Sequence, residues 1–519
     1  MGISQAGIII AIVAYLAGML LIGFYASKKN SNVSDFYLGG RQLGPLVTAM
    51  SAEASDMSSW LLMGLPGLAY LSGTAEPVWT ALGLAVGTYL NWLIVSKRFR
   101  SYTIAANNSI TVPEFFSNRF GDKKKILTLI SALVIVIFFI PYTASGFAAI
   151  GKLFASLFGI DYHVSMAVGA LIVIGYTMTG GFLAASLTDL VQSIIMTTAL
   201  IVVLIFGVNQ AGGVAQVLDN AKNLTGYLSL TASHIPDSAD FWAKGTSTPY
   251  SFLSIISTLA WGLGYFGMPH ILLRFMAISD ENKLKLSRRI ASVWVVIAMG
   301  IAIVIGLIGL GMSKTGVVGI LPDSSQAETI IVQIAHRLSE FGFLPAIAAG
   351  IILSGIIAST MSTADSQLLA ASSSVSKDIV TGFMGKKMSE KKQMLIARLT
   401  LGIIAVTGII LAWNPENSVF RIVSFAWAGF GAAFGPVVLL SLYWRRATRQ
   451  GALAGMITGG VMVFVWKFLV RPLGGMFDIY ELLPAFLLAL LANVIFSLLS
   501  PAPEDEITKV YDLVNGQEK

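Results

Sequence analysis

Long apolar stretches separated by short polar ones dominate this sequence. Runs near the length that a helix needs to cross a bilayer lie at about 7–26, 45–71, 77–97, 126–158, 162–180, 188–211, 249–276, 289–313, 343–373, 394–413, 418–442, 451–472 and 478–500. The pattern predicts an all-α polytopic membrane protein with about 13 transmembrane helices. We expect residues 1–519 to form a single transmembrane domain.

The second run, over residues 45–70, has a polar middle. It reads PLVTAMSAEASDMSSWLLMGLPGLAY and carries Glu53, Asp56 and four serines between its apolar flanks. Carboxylates at bilayer depth are costly unless they face a cavity, an ion or a partner. A span can lose helical hydrogen bonds only where the freed backbone lines such a site. We therefore expect a discontinuous helix whose break binds a ligand, and the alternative is a surface loop between two short helices.

The seventh run, over residues 249–276, is interrupted in a similar way. It reads PYSFLSIISTLAWGLGYFGMPHILLRFM, with three closely spaced glycines before Pro269. Broken spans at corresponding places in two halves indicate an inverted-repeat transporter. The repeats are predicted at about 45–211 and 249–442, five spans each, with the second half inverted. Peripheral helices are expected at 7–26, 451–472 and 478–500, followed by a polar, mobile tail over 501–519.

The distribution of charge predicts the orientation. Mean hydropathy is +0.77 and 12% of residues are charged, against about a quarter in soluble proteins. Basic residues follow the odd-numbered runs, among them Arg100, Arg119, Arg274, Lys391 and Arg445. The positive-inside rule puts the N-terminus outside and the tail in the cytoplasm, in a protein of the cytoplasmic membrane. The net charge of +7 is thus an orientation signal and does not indicate nucleic acid as a partner.

Several function classes lack support in the sequence. The chain has no cysteine, which excludes disulfides and thiolate chemistry. It has no phosphate-binding glycine-rich loop, no catalytic triad signature and no histidine spacing typical of a metal site. We therefore expect neither an enzyme nor an organic cofactor.

Hydroxyl side chains line one face of the ninth run. Ser359, Ser362, Thr363 and Ser366 recur at i, i+3, i+4 and i+7, so they share a helical face. One interpretation is helix packing, because serine and threonine often bond their own helix carbonyls. The other is an oxygen cage for a monovalent cation, completed by carbonyls of the broken second run. The spacing alone leaves both open.

Aromatic residues near the breaks are candidates for a substrate wall. Trp261 and Tyr265 are four residues apart beside the glycine break, which suits a small ring-bearing ligand or an ordinary core pair. Tyr142 follows Pro141, where a kink frees a carbonyl for binding or simply serves packing. The aromatic residues at helical spacing in the eleventh run are interpreted as packing: Trp427, Phe430 and Phe434.

Five stretches, in order, resemble a known family. They are SAEASDMSSWLLMGLPG, WGLGYFGMPHIL, MSTADSQLL, AWNPEN and SFAWAGFGAAFGPVVL. Together they closely resemble the bacterial sodium/proline symporters of the sodium/solute symporter family. The resemblance implies a LeuT-type 5+5 inverted repeat. It also implies a sodium-coupled symporter that imports L-proline by alternating access.

The resemblance also implies roles for individual residues. Sodium would be bound by backbone oxygens of Ala54, Met57 and Ser359 and by the hydroxyls of Ser362 and Thr363. Ion coupling would involve Asp56, Ser58, Gly64, Arg41 and Asp189. Proline would lie near Tyr142, Trp261, Tyr265 and Pro269.

Glu53 departs from the pattern that the resemblance implies, in which a small residue is expected. In a helix it shares a face with Asp56, three residues on. Two neighbouring carboxylates cannot both stay ionised cheaply, so one is expected to be protonated. Whether the coupling ion is purely sodium therefore stays open. The alternative within transport is a sodium- or proton-coupled symporter of another small solute, such as pantothenate, a sugar or another amino acid. A second alternative is a transporter-like membrane sensor, although the short tail leaves little room for a signalling domain.

Overall fold

A computed structural model describes residues 3–27, 33–237, 240–386 and 388–516, which are mostly helical. The helices up to the long polar loop are α1 Ile3–Ser27, α2 Val33–Leu38, α3 Pro45–Ser59, α4 Leu65–Ser72, α5 Ala75–Leu90, α6 Ser96–Ala105, α7 Val112–Arg119, α8 Ile126–Phe158, α9 Tyr162–Gln210 and α10 Val214–Lys222. The loop carries a small antiparallel hairpin, β1 Ala232–Ile235 and β2 Thr246–Pro249.

The second half begins with a broken helix, as the first does. Its helices are α11 Phe252–Leu259, α12 Pro269–Ala277, α13 Leu284–Lys314, α14 Ser324–Ala327, α15 Ile330–Ser339, α16 Phe343–Ser373, α17 Glu390–Leu411 and α18 Val419–Tyr443. Three more follow: α19 Arg449–Val465, α20 Leu482–Leu499 and α21 Asp505–Gly516. Short 3₁₀ or π-helical turns extend or join several of them, notably Trp60–Gly64, Asn91–Val95, Ala260–Gly267 and Ser374–Phe383.

The number of membrane crossings depends on how the broken helices are counted. Within the described ranges, ten helices are long and apolar enough to cross a membrane, and the pair α11–α12 makes eleven. The other two predicted spans are the polar α3–α4 unit and the shorter apolar helix Tyr162–Gly175. A kink at Gly181, where φ is 69°, separates that short helix from the rest of α9. The count of thirteen spans stays a prediction.

Both predicted helix breaks are confirmed. In α3 the backbone leaves the helical region at Ser58, with φ 49° and ψ −169°, and a π-helical turn follows. After α11 the chain continues as a 3₁₀ segment over Ala260–Gly267 and bends by 46° into α12. Pro269 begins α12, where its missing N–H costs no helical hydrogen bond.

Glycines allow the 3₁₀ segment to touch α5 backbone to backbone. A Cβ atom added to Gly87 would lie 2.4 Å from the Cα of Gly262, and one added to Gly262 would lie 2.2 Å from the carbonyl oxygen of Gly83. No larger side chain fits at this crossing without moving the backbone. The glycine contact therefore fixes the distance between the 3₁₀ segment and α5.

The prediction of a mobile tail is wrong for residues 505–516. They form α21, whose Val514 is buried, and Tyr511 packs against Tyr102 of α6 with ring centroids 6.4 Å apart. Arg445, after α18, donates two hydrogen bonds to Asp512, at 2.8 and 2.9 Å. The polar composition concealed an amphipathic helix, because apolar residues recur at helical spacing on one of its faces.

The glycine crossing yields a test of packing. Gly87→Ala should lower the thermal midpoint of the detergent-purified protein, because overpacking a tight core typically costs about 1–3 kcal/mol. Gly300→Ala on α13 is the matched control, since no heavy atom lies within 4 Å of its added Cβ. Equal thermal midpoints for the two variants, measured by fluorescence-detected size exclusion, would contradict the close contact.

Candidate ion and substrate site

The break in α3 frees backbone carbonyls, and each is held by a different element. The Ala54 carbonyl accepts a hydrogen bond from the Ser362 hydroxyl of α16, at 2.8 Å. The Asp56 carbonyl accepts from the Tyr142 hydroxyl of α8, at 3.0 Å. The Met57 carbonyl accepts from the backbone N–H of Trp60, just past the break. Four helical segments therefore converge on one interrupted turn.

The hydroxyl face of α16 meets this break. Ser362 Oγ lies 3.2 Å from the Ser359 carbonyl oxygen, and Thr363 Oγ1 lies 3.1 Å from the same oxygen. All of these residues are buried, as is Ala54. Four of the five predicted sodium ligands are thus linked by hydrogen bonds in one cluster. Met57 belongs to the same turn, but its carbonyl accepts a hydrogen bond from the backbone N–H of Trp60.

The oxygens in this cluster are neutral carbonyls and hydroxyls of buried residues. A small cavity beside it, with room for about one water molecule, is lined by Ser58, Tyr142 and Thr363 among others. Hard cations prefer oxygen ligands. A neutral oxygen set suits a monovalent cation that must be released again, so the donor chemistry fits sodium as a transported ion.

Asp56 lies between the ion cluster and the second broken helix. Its Oδ2 accepts a hydrogen bond from the Tyr265 hydroxyl of the 3₁₀ segment, at 2.7 Å, while its Oδ1 has no partner among the described residues. The Tyr142 hydroxyl donates to the backbone carbonyl of the same residue. Asp56, Tyr142 and Tyr265, which were predicted as site residues from three different runs, therefore lie together.

Glu53 is buried one turn before Asp56. Its Oε1 accepts a hydrogen bond from the indole N–H of Trp92, at 3.0 Å, and its Oε2 has no partner in the described part of the chain. Glu53 and Asp56 are both buried in α3, three residues apart, which is consistent with the predicted proximity of their carboxyl groups. The ion preference that follows from Glu53 stays a prediction.

Trp261 belongs to an aromatic layer on one side of Asp56. Its ring lies 5.8 Å from that of Trp60, 5.4 Å from Phe420 and 5.1 Å from Tyr480, measured between centroids. Trp427 donates its indole N–H to the Trp261 carbonyl, at 2.8 Å. The layer offers an apolar surface for a small ring. Two of its members, Phe420 and Tyr480, were not predicted from the sequence because they lie outside the broken helices.

A buried ion pair forms a second network close to the break. Arg274 of α12 pairs with Asp189 of α9 at 3.1 Å and also donates to Ser51 of α3 at 3.0 Å. Asp189 accepts a further hydrogen bond from the Ser51 hydroxyl, at 2.6 Å, and the guanidinium reaches Ser366 of α16. The network joins four helices in the core of the protein.

The prediction that Arg274 is one of the loop charges that set the orientation is therefore wrong. Its side chain is buried in the core, with 1% of the residue exposed. It ends an apolar run, which made it look like a residue of the following loop. Opposite charges in apolar stretches were the available signal, because intramembrane ionisable residues usually pair.

Two predicted coupling residues lie elsewhere. Arg41 donates to the carbonyl of Met276 at 2.7 Å and to that of Ser109 at 2.8 Å. It belongs to a network different from that of Asp189. A Cβ atom added to Gly64 would lie 3.3 Å from the Cβ of Phe420. Gly64 therefore packs against the aromatic layer and not against the ion cluster.

Comparisons with known proteins find relatives over nearly the whole chain. The model of the sodium:solute symporter family matches residues 36–459. The chain is 44% identical over 509 residues to the sodium/proline symporter of Haemophilus influenzae, covering 97% of each protein. It is 43% identical over 496 residues to the high-affinity proline transporter PutP of Bacillus subtilis, covering 95% of this chain and 98% of that protein.

A solved structure shares the fold. It is that of a Na⁺-coupled sialic acid symporter in a substrate-bound, outward-open state, with a TM-score of 0.75 at 19% identity, covering 97% of this chain and 99% of that one. The predicted all-α polytopic fold with a LeuT-type 5+5 inverted repeat is confirmed. The family match over most of the chain and the identity to full-length relatives lead to one conclusion: this protein belongs to the sodium:solute symporter family.

Proposed function

We propose that this protein is a sodium-coupled symporter that imports L-proline across the cytoplasmic membrane by alternating access. One observation carries the proposal: the interrupted turn of α3 presents carbonyls to the hydroxyl face of α16, directly beside the tyrosines that hold Asp56. Relatives named as proline transporters, at 43–44% identity over nearly the whole chain, support the substrate.

Sodium is the proposed coupling ion. It would be held by the carbonyls of Ala54, Met57 and Ser359 and by the hydroxyls of Ser362 and Thr363. The hydroxyl hydrogens now point at carbonyls of the same cluster. They would rotate away when an ion takes their place, because a serine or threonine hydroxyl turns freely about its C–O bond.

Proline is proposed to bind between Tyr142, Trp261, Tyr265 and Pro269. Its ring is small and apolar, and aromatic walls can enclose it without leaving a polar group unpaired. The small cavity beside Tyr142 has no room for proline, so the aromatic layer or the broken helices must move for entry. Such movement is the normal behaviour of discontinuous helices in inverted-repeat transporters.

Asp56 is proposed to couple the two sites. Its backbone lies in the turn whose carbonyls would bind sodium, and its side chain holds Tyr265 in the proposed substrate pocket. An ion that orders this turn would also order the tyrosine. By linkage, sodium then raises the affinity for proline and proline raises the affinity for sodium by the same factor.

The driving force is adequate for accumulation. One positive charge moving inward through 100 mV releases about 2.3 kcal/mol before any concentration term. Transport of another small solute is the alternative within the same mechanism. Competition of labelled proline uptake by pantothenate, sugars and other amino acids distinguishes the two.

The first prediction concerns the cation. In proteoliposomes with an imposed sodium gradient, wild-type protein should accumulate radiolabelled proline. Ser362→Ala and Thr363→Ala should each raise the sodium concentration for half-maximal uptake, because a lost oxygen ligand cannot be replaced readily in a dry site. Ser354→Ala is the control, since among the described residues that hydroxyl bonds only the Gly350 carbonyl of its own helix. Wild-type sodium dependence in both variants would move the ion site elsewhere.

The second prediction concerns the substrate. Trp261→Ala should weaken sodium-dependent proline binding by about 1–3 kcal/mol, the scale of one good apolar contact. Sodium binding without proline, measured by equilibrium dialysis, should change far less because the ion cluster lies on α3 and α16. Exposed Trp413→Ala serves as the control for loss of a tryptophan. Unchanged proline affinity in folded Trp261→Ala protein would exclude the 3₁₀ segment from the substrate site.

The third prediction concerns orientation, with the N-terminus outside and α21 in the cytoplasm. The chain lacks cysteine, so single cysteines can be read without background. In intact cells, Lys222→Cys should react with an impermeant thiol reagent, and Lys391→Cys should react only after permeabilisation. Both side chains are exposed, so access through the membrane is the only difference. Labelling of Lys391→Cys in intact cells would reverse the proposed orientation.

A further inference from the structure

A large cavity lies beside α21, on the side of the molecule that the proposed orientation places in the cytoplasm. Its volume is about 410 Å³, within the range typical of small-molecule sites. Parts of α6, α7, the turn before α8 and α21 line it, and three of the lining residues are basic: Arg119, Lys123 and Lys125. We call it the tail cavity.

Arg119, the last residue of α7, is the buried one of the three, with 1% of the residue exposed. Its Nε donates to the carbonyl of Ser441 at 2.8 Å, and its Nη2 lies 3.5 Å from the carbonyl oxygen of Trp444. Its Nη1 has no hydrogen-bond partner among the described residues. The guanidinium therefore caps the end of α18 and keeps unused donor capacity.

The groups around this guanidinium are neutral. Its Cζ lies 5.2 Å from the ring centroid of Tyr102, 5.0 Å from that of Phe120 and 5.3 Å from that of Tyr511 in α21. In the described ranges no carboxylate forms an ion pair with it. A buried charge without a counter-charge is costly, so the wall of the tail cavity favours an anion.

The two lysines extend the positive charge towards solvent. Lys125 is partly exposed and Lys123 is exposed, so an anion entering from solvent would meet the lysines before Arg119. Lys123 lies 3.4 Å from Glu504, but the two side chains are 80% and 67% exposed. Such an exposed pair contributes little to stability, and an incoming anion can displace it.

Two acidic residues also line the tail cavity, and one of them is already neutralised. The Oδ2 of Asp122 accepts a hydrogen bond from the backbone N–H of Leu127 at 2.6 Å, and its Oδ1 lies 3.6 Å from the guanidinium of Arg449, which is outside the lining. The other is Glu506, in the first turn of α21, where the helix dipole favours a negative charge. The lining therefore keeps a positive balance.

We propose that the tail cavity binds a phosphate group, carried by a small soluble molecule or by a lipid headgroup. Arginine and lysine both donate to phosphate oxygens, and the planar guanidinium can contact two of them at once. The phosphate supplies the counter-charge that Arg119 lacks. It also connects the turn before α8 to α21, so it stabilises the packing of α21 against α6. The site is separate from the proposed ion and substrate site.

The test uses pyrophosphate as the probe and the full-length protein purified in detergent. At an ionic strength held constant with potassium chloride, wild-type protein should bind pyrophosphate in isothermal titration calorimetry. The double variant Lys123→Gln/Lys125→Gln should bind roughly five-fold more weakly, the scale of two exposed charge contacts. Lys124→Gln is the matched control, because Lys124 is exposed between them yet lies outside the lining. Arg119 stays unchanged, since it also caps α18.

Glu506→Gln tests the sign of the effect. It removes an acidic side chain from the lining, so it should tighten pyrophosphate binding roughly two-fold. A purely structural role of these residues would not make the lysine variant and the glutamate variant change the affinity in opposite directions.

Nanodiscs distinguish the two sources of the phosphate group. If a lipid headgroup occupies the cavity, discs rich in phosphatidylglycerol should raise the thermal midpoint and abolish pyrophosphate binding, relative to discs of phosphatidylcholine. If the ligand is soluble, pyrophosphate should bind equally in both. No pyrophosphate binding by wild-type protein in detergent and in phosphatidylcholine discs, or equal weakening by Lys124→Gln and the double variant, would overturn the site. These measurements contain neither proline nor a sodium gradient, so their failure is distinct from a failure of the proposed function.

Discussion

Backbone groups inside a bilayer must find hydrogen-bond partners within the protein, and this constraint organises the core around Ser58. The break in α3 would leave carbonyls unpaired if α3 stood alone. Ser362 of α16 and Tyr142 of α8 supply donors to Ala54 and Asp56. The elements that compensate for the break are therefore the same elements that present the proposed ion and substrate groups.

Buried charge imposes the second constraint. A lone charge buried inside a membrane protein is costly, whereas a hydrogen-bonded ion pair is tolerated. Asp189 pairs with Arg274, and Ser51, about two helical turns before Ser58, bonds both of them. Lys152 of α8 pairs in the same way with Glu328, in the turn between α14 and α15. Each pair connects elements that are far apart in sequence, so any relative movement of these elements must carry the pair along or break it.

The aromatic layer connects these two regions. Trp261 and Tyr265 occupy successive turns of one 3₁₀ segment, and α5 touches that segment through glycine backbone. In the proposed mechanism, a movement of Tyr265 would shift the same short element that carries Trp261, which packs against Phe420 and Tyr480. In the proposed mechanism, this link between Asp56 and the aromatic layer supports the coupling of ion and substrate binding.

The sequence by itself determined the all-α membrane fold, the two breaks and the hydroxyl face. Apolar run length, glycine and proline positions and helical spacing are local properties, so a linear reading captures them. It also grouped Ala54, Ser362 and Thr363 through a family resemblance. Only the tertiary structure decided that Arg274 pairs with Asp189, that Tyr265 holds Asp56, and that α21 packs on the α6 surface. These contacts join residues that are distant in the chain, and their formation depends on packing geometry that no local pattern encodes.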